Sequence, residues 1–203
     1  MKEKSAMLIS APNRAQTARP PLGLMYIASY VRSKNIPVDL IDIKSFENES
    51  VIMDQIITKI KKKEPDVIGF TTLTTDIPEI FELSKRIKQL DFPTRIVLGG
   101  VHPSLIPEDI IPNKDIDYAC VGEGEITIAE LTKVAGDIEK ERKVPGLVWG
   151  HNGRIAKSTG RSYIENLDTL PFPAFDMVDM KFYLKPNPYR GLYPLGSCQQ
   201  QQL

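Results

Sequence analysis

The chain alternates short apolar runs with amphipathic segments, and this alternation restricts the fold more than any other feature of its sequence. The apolar runs lie at residues 6–10, 38–43, 67–70, 96–98 and 118–121. Segments with apolar residues at helical spacing follow them at 22–33, 50–63, 77–90 and 126–134. Because parallel strands need crossover connections, which are usually helices, the pattern predicts a doubly wound α/β fold with a five-stranded parallel sheet. The pattern alone leaves the two common strand orders open.

Composition excludes several classes of partner. Lys and Arg total 26 and Asp and Glu total 26, so the formal net charge is zero and no nucleic-acid partner is expected. No apolar run approaches the roughly 20 residues of a membrane helix, and the N-terminus lacks the apolar region of a signal peptide. Two cysteines, Cys120 and Cys198, cannot form a disulfide framework, which favours a reducing, cytoplasmic location. The oligomeric state stays open.

Three of the predicted strands run directly into loops of special composition. Residues 71–75 are rich in hydroxyl groups, residues 99–102 begin with Gly-Gly, and residues 122–125 read Gly-Glu-Gly-Glu. The polar segment 13–23 follows the first strand and belongs to the same rim. Ligands of open parallel sheets bind beyond the carboxyl ends of the strands, and glycine allows close backbone approach. We therefore predict a site for a large polar cofactor there, although no GxGxxG or GxxxxGK[ST] phosphate motif is present.

His102 follows the Gly-Gly pair and precedes Pro103, which favours an extended conformation for the histidine. It is a candidate metal ligand, a hydrogen-bond donor to a cofactor, or a structural residue that closes the loop. No second ligand lies at metal-binding spacing, which argues against an independent metal site.

Glu123 and Glu125 have two interpretations. They are a candidate acid/base pair, but the alternative that at least one of them caps the helix after residue 125 is favoured. Asp76 or Thr75 is the expected cap of the helix that begins near residue 77. Cys120 lies in a predicted core strand and is interpreted as a small buried hydrophobe.

The alternation of apolar runs and amphipathic segments ends after residue 143. Residues 146–149 and 153–156 predict a small hairpin around Asn152-Gly153, and residues 166–179 an extended linker or surface strap. The Gln-rich end at 199–202 fits no packed element and is interpreted as a truncation or a non-native end. We therefore divide the chain into an α/β domain at 1–143 and a hairpin with a proline-rich linker at 144–203.

Five motifs in order carry a family resemblance. They are PPLGLMYIASY (20–30), PDVIGFT (65–71), LGGVHP (98–103), VGEGE (121–125) and LDTLPFPA (167–174). Together they resemble the N-terminal cobalamin (vitamin B12)-binding domain of cobalamin-dependent radical S-adenosylmethionine (SAM) enzymes, over roughly residues 5–195.

The resemblance implies a flavodoxin-like (Rossmann-like) sheet with cobalamin across its carboxyl edge. It places the nucleotide tail of the cofactor near residues 71–74 and 99–102, and residues 122–125 at its border. It assigns no catalytic residue and no metal ligand. The implied cofactor-binding residues are Pro12, Asn13, Leu22, Gly23, Thr71, Thr72, Leu73, Thr74, Gly99, Gly100, Val101, His102, Gly122, Glu123, Gly124 and Glu125.

Two departures from related families affect the expected function. The DxHxxG motif that supplies a cobalt-binding histidine is missing from the first loop, so no imidazole for cobalt is expected there. The CxxxCxxC motif for a [4Fe-4S] cluster is also absent; Cys198 stands where its first cysteine belongs, and one thiolate cannot hold the cluster. The resemblance therefore implies the front part of a methyltransferase-like radical SAM enzyme, cut before its iron–sulfur motif.

In such an enzyme a barrel in cis, missing here, holds SAM and the cluster. Two other functions stay open. One is a cofactor-free interaction or substrate-positioning domain of the same fold, and the other is a flavodoxin-like protein that binds a flavin or nucleotide.

Overall fold

The computed structural model describes residues 2–10, 19–43, 49–151 and 153–184. Seven strands form one sheet in the order β2-β1-β3-β4-β5-β6-β7. The strands are β1 Ala6–Ile9, β2 Val38–Ile41, β3 Val67–Thr71, β4 Arg95–Gly99, β5 Tyr118–Cys120, β6 Leu147–His151 and β7 Arg154–Lys157. The helices of this part of the chain are α1 Leu22–Ser33, α2 Glu49–Lys63, α3 Ile77–Lys88, α4 Val101–Leu105, α5 Glu125–Val134, α6 Ile138–Glu141 and α7 Met180–Leu184.

The first five strands are parallel, and their order is the flavodoxin-like one of the two orders that the sequence left open. The five predicted parallel strands are present, but the sheet contains seven strands rather than five. β6 pairs antiparallel with β5 and β7 pairs antiparallel with β6, so both extend the main sheet. The apolar pair Leu147 and Val148 covers the edge of β5, which an isolated hairpin would leave open. Asn152, in the predicted turn, lies outside the described residues.

Two apolar layers enclose the sheet. α1 and α5 pack on one face, and α2 and α3 pack on the other. Side chains of a strand alternate between the faces, so Val67 of β3 points toward α1 and α5 whereas Ile68 and Phe70 point toward α2 and α3. Burial on both faces explains why the parallel strands read as continuous apolar runs. None of the helices in the described ranges is both long and apolar enough to cross a membrane.

The backbone differs from the prediction around His102. This residue is helical, in α4, rather than extended. Pro103 lies in the first turn of α4, where its missing N–H would have no helical partner in any case. The turn is closed by bonds from Ser104 N–H to Gly100 O (3.2 Å) and from Ile106 N–H to His102 O (2.9 Å). A 3₁₀ turn at Pro107–Asp109 follows α4.

The predicted side-chain cap of α3 is also wrong. The side chain of Asp76 accepts the N–H of Leu73 (2.9 Å) and closes the 3₁₀ turn Thr74–Asp76, so it does not serve α3.

Residues 166–179, called the strap below, lie against α1. Ala174 N–H donates to Met25 O (3.1 Å), the Ser29 hydroxyl donates to Phe172 O (2.5 Å), and Arg32 pairs with Asp176 (2.6 Å). The strap leads into α7, where the buried hydroxyl of Tyr183 donates to the carboxylate of Asp42, directly after β2. The chain is therefore held against the domain between Phe172 and Asp176 and again at Tyr183.

Candidate functional site

A cavity of about 210 Å³ lies at the carboxyl edge of the sheet, between the strands and helices α1 and α5. Its walls are largely apolar and formed by the side chains of Leu8, Leu24, Ile27, Val97 and Ile128, and Phe70 borders it from β3. Glycines supply much of the remaining surface: Gly23, Gly69, Gly99, Gly100, Gly122 and Gly124. The polar contribution comes from Thr71, Cys120, Glu123 and Glu125. Such a site can accept a flat, mostly apolar group with a few polar atoms near its mouth.

Gly69 is the residue that keeps the cavity open. It lies in the middle of β3 and faces α1 and α5, because it is two residues from Val67. A Cβ at this position would lie 3.1 Å from Leu8 Cδ2 and 4.0 Å from Ile128 Cδ1. Leu8 would have to shift to admit this Cβ, and a larger side chain would extend into the cavity that Gly69 lines. Since protein cores leave few voids larger than a water molecule, this missing side chain indicates a ligand site rather than a packing defect.

The loops after β3 and β4 meet through their backbones at the mouth of the cavity. Thr72 N–H donates to Gly99 O (2.8 Å), and His102 N–H donates to Thr72 O (3.4 Å). Gly100 has a φ of +108°, and a Cβ there would lie 2.9 Å from Thr72 O and 3.0 Å from Thr72 N. Only glycine fits this approach. The hydroxyl of Thr72 is buried without a hydrogen-bond partner in the described part of the chain.

His102 is buried beside this junction but does not line the cavity. Its Nδ1 lies 3.0 Å from the Thr74 hydroxyl, and its Nε2 lies 3.6 Å from Asp109 Oδ2. The Nδ1 contact ties the ring to the loop after β3, whereas Nε2 is buried and makes no hydrogen bond within the described ranges. Within the described ranges, no cluster of three His, Cys, Asp or Glu side chains could hold a metal ion. Of the three roles left open for His102, this geometry favours the structural one.

The two glutamates after β5 have different partners. Glu123 Oε2 accepts the N–H of Ile164 (2.7 Å), which holds the segment after β7. Glu125 begins α5 at the cavity, and its Oε2 is buried with no hydrogen-bond partner among the described residues. Burial raises the pKa of the Glu125 carboxyl and the charge of Glu123 adds to the rise, although the N–H groups of Glu125 and Gly124 oppose it.

The prediction that at least one of the two glutamates caps α5 is not confirmed, because the N-cap of α5 is Gly124 and no side-chain hydrogen bond caps the helix. The separate partners of the two side chains give no support to an acid/base pair.

Cys120 forms part of the inner wall. Burial raises the pKa of its thiol to about 12, although a hydrogen bond with Thr127 opposes the shift. The thiol is therefore protonated at neutral pH, as expected of a small buried hydrophobe. Cys198 lies outside the described residues.

The cavity brings together half of the predicted site residues. Those that line it are Gly23, Thr71, Gly99, Gly100, Gly122, Glu123, Gly124 and Glu125. Those that lie around it without lining it are Leu22, Thr72, Leu73, Thr74, Val101 and His102. Pro12 and Asn13 lie outside the described residues. Sequence reasoning missed the apolar walls and Gly69, although a glycine inside a strand signals close approach of another group.

Comparison with known proteins identifies the family. The sequence model of the B12 binding domain matches residues 13–132, more than half of the chain. The chain belongs to the B12-binding domain family. The resemblance that the sequence motifs indicated is confirmed, and cobalamin is the cofactor of this domain family.

The relatives are longer proteins. The chain is 30% identical over 192 residues to an uncharacterised methyltransferase of Pyrococcus horikoshii, covering 90% of the chain and 40% of that protein. It is 27% identical to an anaerobic magnesium-protoporphyrin IX monomethyl ester cyclase of Synechocystis, covering 81% of the chain and 33% of the cyclase. The chain thus spans about two-fifths or less of the length of these relatives.

Solved structures share the fold. The cobalamin-dependent SAM radical enzyme OxsB, with aqua-cobalamin and SAM bound, superposes with a TM-score of 0.73 at 23% identity. The match covers 87% of this chain and 25% of OxsB. The radical SAM methyltransferase TsrM of Kitasatospora setae, with cobalamin and a [4Fe-4S] cluster bound, gives 0.66 at 17% identity, covering 91% of this chain and 33% of TsrM.

Proposed function

We propose that this chain binds cobalamin with the nucleotide tail in the cavity and the corrin ring across the carboxyl edge of the sheet. The observation that carries the proposal is the cavity itself, which Gly69 keeps open in an otherwise closely packed layer. A domain that bound no ligand would gain stability by filling this space, so the cavity favours cofactor binding over the cofactor-free alternative.

The residues present fit such a cofactor. The apolar walls suit the planar aromatic base at the end of the tail. Glu125 lines the cavity and has a buried carboxylate oxygen that lacks a partner in the described ranges, and Thr72, in the adjoining loop, has a buried hydroxyl in the same state. Gly100 lets the two loops approach closely enough to place backbone groups beside the ligand. The site thus combines an apolar slot with a small number of polar contacts.

The role of the chain is to hold and shield the cofactor. Bound cobalamin supplies methyl-transfer or radical chemistry, and the residues of the domain position it and exclude water from the tail. Exposed Leu22, Leu73 and Val101 surround the mouth and offer apolar surface to the corrin ring. We assign no protein ligand to cobalt, because His102 is turned toward Thr74 and Asp109.

We also propose that the domain works as the front part of a methyltransferase-like radical SAM enzyme. The similarity to longer methyltransferase-like and cyclase relatives supports this, as does the shared fold of OxsB and TsrM. In such an enzyme a barrel in cis would hold SAM and the [4Fe-4S] cluster. The substrate would be selected largely by that barrel.

Incubation with hydroxocobalamin in the dark, removal of free cofactor by gel filtration and a visible spectrum test the binding. We expect the purified chain to retain corrin absorbance at close to one equivalent. Gly69→Val should lower the affinity at least about tenfold, because its side chain enters the cavity. Gly160→Val is the matched control, since Gly160 has open space around its Cβ position.

No retention by the folded wild-type chain would refute cobalamin binding by this domain. Full binding by a folded Gly69→Val variant would refute the cavity as the site of the tail.

A further inference from the structure

Glu125 has a carboxylate oxygen that the described part of the protein does not satisfy. Its Oε2 is buried at the cavity and receives no hydrogen bond there, whereas the neighbouring Glu123 accepts the N–H of Ile164. A buried acceptor without a donor is destabilising, so such atoms are rare in folded proteins. Because Glu125 lines a ligand cavity, this unsatisfied oxygen points to a donor that arrives with the ligand.

Arg161, whose guanidinium lies near α5, already has partners within the protein. Arg161 Nε donates to the hydroxyl of Thr127 (2.9 Å), and its guanidinium also pairs with Glu130 on the surface. The Thr127 hydroxyl in turn donates to Pro145 O (3.1 Å). These bonds hold the guanidinium of Arg161 against α5, so Arg161 does not donate a hydrogen bond to Glu125 Oε2.

We propose that the carboxylate of Glu125 accepts a hydrogen bond from an O–H or N–H group of the bound cofactor. Glu125 would then be a specificity-determining residue of the cobalamin site, an inference that rests on the proposed function. An ionised carboxylate only accepts hydrogen bonds, and Glu123 adds a second negative charge nearby. Both features favour a hydrogen-bond donor and disfavour the negatively charged phosphate of the tail at this corner.

Cobalamin carries such donors in two places. One is the ribose hydroxyl group of the nucleotide tail, and the other is the set of amide groups on the corrin ring. Cobinamide separates the two sources, because it keeps the corrin ring with its amides and lacks the nucleotide tail.

Equilibrium titrations with hydroxocobalamin and with dicyanocobinamide test the inference on the full chain. Glu125→Ala should bind cobalamin at least about tenfold more weakly than the wild type, as expected for loss of a hydrogen bond to a charged group. Glu125→Gln keeps an acceptor oxygen without the charge and should lose about threefold. Glu82→Ala, on the exposed surface of α3, is the matched control and should bind like the wild type.

The two ligands distinguish the source of the donor. A loss confined to cobalamin identifies the ribose hydroxyl, and a similar loss with both ligands identifies a corrin amide; each supports the proposed bond. Wild-type affinity of Glu125→Ala for both ligands would overturn it.

Thermal unfolding of each variant checks the fold. If Glu125→Ala does not fold, unchanged affinity of Glu125→Gln for both ligands overturns the proposal instead. Absence of binding by the wild-type chain would refute the proposed function, and that result is separate from any effect of the Glu125 variants.

Discussion

Two glutamates with buried carboxylate oxygens lie at opposite edges of the sheet, and their surroundings differ. Glu141, at the amino edge, receives both contacts of Arg95 Nε (2.9 Å each), the Tyr118 hydroxyl (2.7 Å) and Gly136 N–H (2.7 Å). Glu125, at the carboxyl edge, keeps one oxygen without a donor among the described residues. The buried carboxylate at the amino edge stabilises the fold, whereas the one at the carboxyl edge is only partly satisfied by the described residues.

The pKa values of the two groups shift in opposite directions. Burial acts to raise the pKa of Glu141, but hydrogen bonds from Arg95, Tyr118 and Gly136 outweigh it and hold the pKa below its ordinary value. Burial raises the pKa of Glu125, and the few backbone contacts do not offset it. The number of donors around a carboxylate therefore decides the sign more than the burial itself.

The largest expected effect is on stability at the amino edge. Glu141→Ala leaves Arg95 without its buried partner and should lower the free energy of unfolding by about 3 kcal/mol. Urea denaturation measures this loss, with Glu139→Ala as an exposed control on the same helix. A loss of unfolding free energy below about 1 kcal/mol for Glu141→Ala would contradict a stabilising role for Glu141 at the amino edge.

The pH dependence of stability should differ in sign between the two sites. The pKa of Glu141 is depressed in the fold, so its stabilisation is present above the ordinary pKa of 4.5 and is lost as the pH falls through the depressed value. The stability difference between the wild type and Glu141→Gln should therefore shrink below pH 4.5.

The pKa of Glu125 is raised, so its ionisation destabilises the fold as the pH rises through that value. Glu125→Gln should show a small gain over the wild type at pH 7 that disappears in acid. Urea titrations from pH 3 to pH 7 measure both trends, and equal trends would contradict the opposite pKa shifts.

His102→Ala should have an intermediate effect. Loss of the contact with Thr74 should reduce the free energy of unfolding by about 1 kcal/mol, because one net hydrogen bond disappears. The visible spectrum of retained cobalamin should stay unchanged, since the ring does not line the cavity. A shifted spectrum would assign His102 to the metal rather than to the loop junction.

The smallest effect on stability is expected from Glu125→Ala without cofactor. Removal of a carboxylate that lacks a donor should change the free energy of unfolding by less than about 1 kcal/mol. Urea denaturation of the cofactor-free protein measures it. A loss as large as that of Glu141→Ala would show that Glu125 is a structural residue.

The sequence predicted the parallel strands and the loops at their carboxyl ends, because apolar runs and glycines are local signals. It could not place β6 and β7, since a hairpin pattern does not reveal which strand pairs with its outer edge. Glu141 lies in the highly charged run 137–143 and resembles a solvated residue, yet it is fully buried. Its burial depends on Arg95 and Tyr118, which are distant in sequence.

The site was predictable to a similar extent. Gly99, Gly100 and residues 122–125 stand out in the sequence because each follows a strand. Gly69 lies inside an apolar run, and its importance depends on Leu8 and Ile128, which only the folded structure brings near. The loop residues at the mouth of the cavity were therefore predictable from the sequence, whereas the role of Gly69 in lining it was not.

The bond between Tyr183 and Asp42 joins residues 141 positions apart. Tyr183 follows all seven strands in the sequence. During synthesis, it therefore leaves the ribosome only after the strands have done so, and Asp42 cannot bond to it before then. Contacts this distant in sequence tend to form late in folding, because closing a long loop costs more conformational entropy than closing a short one. We therefore expect the bond between Tyr183 and Asp42 to form later than the pairing of β1 with β2.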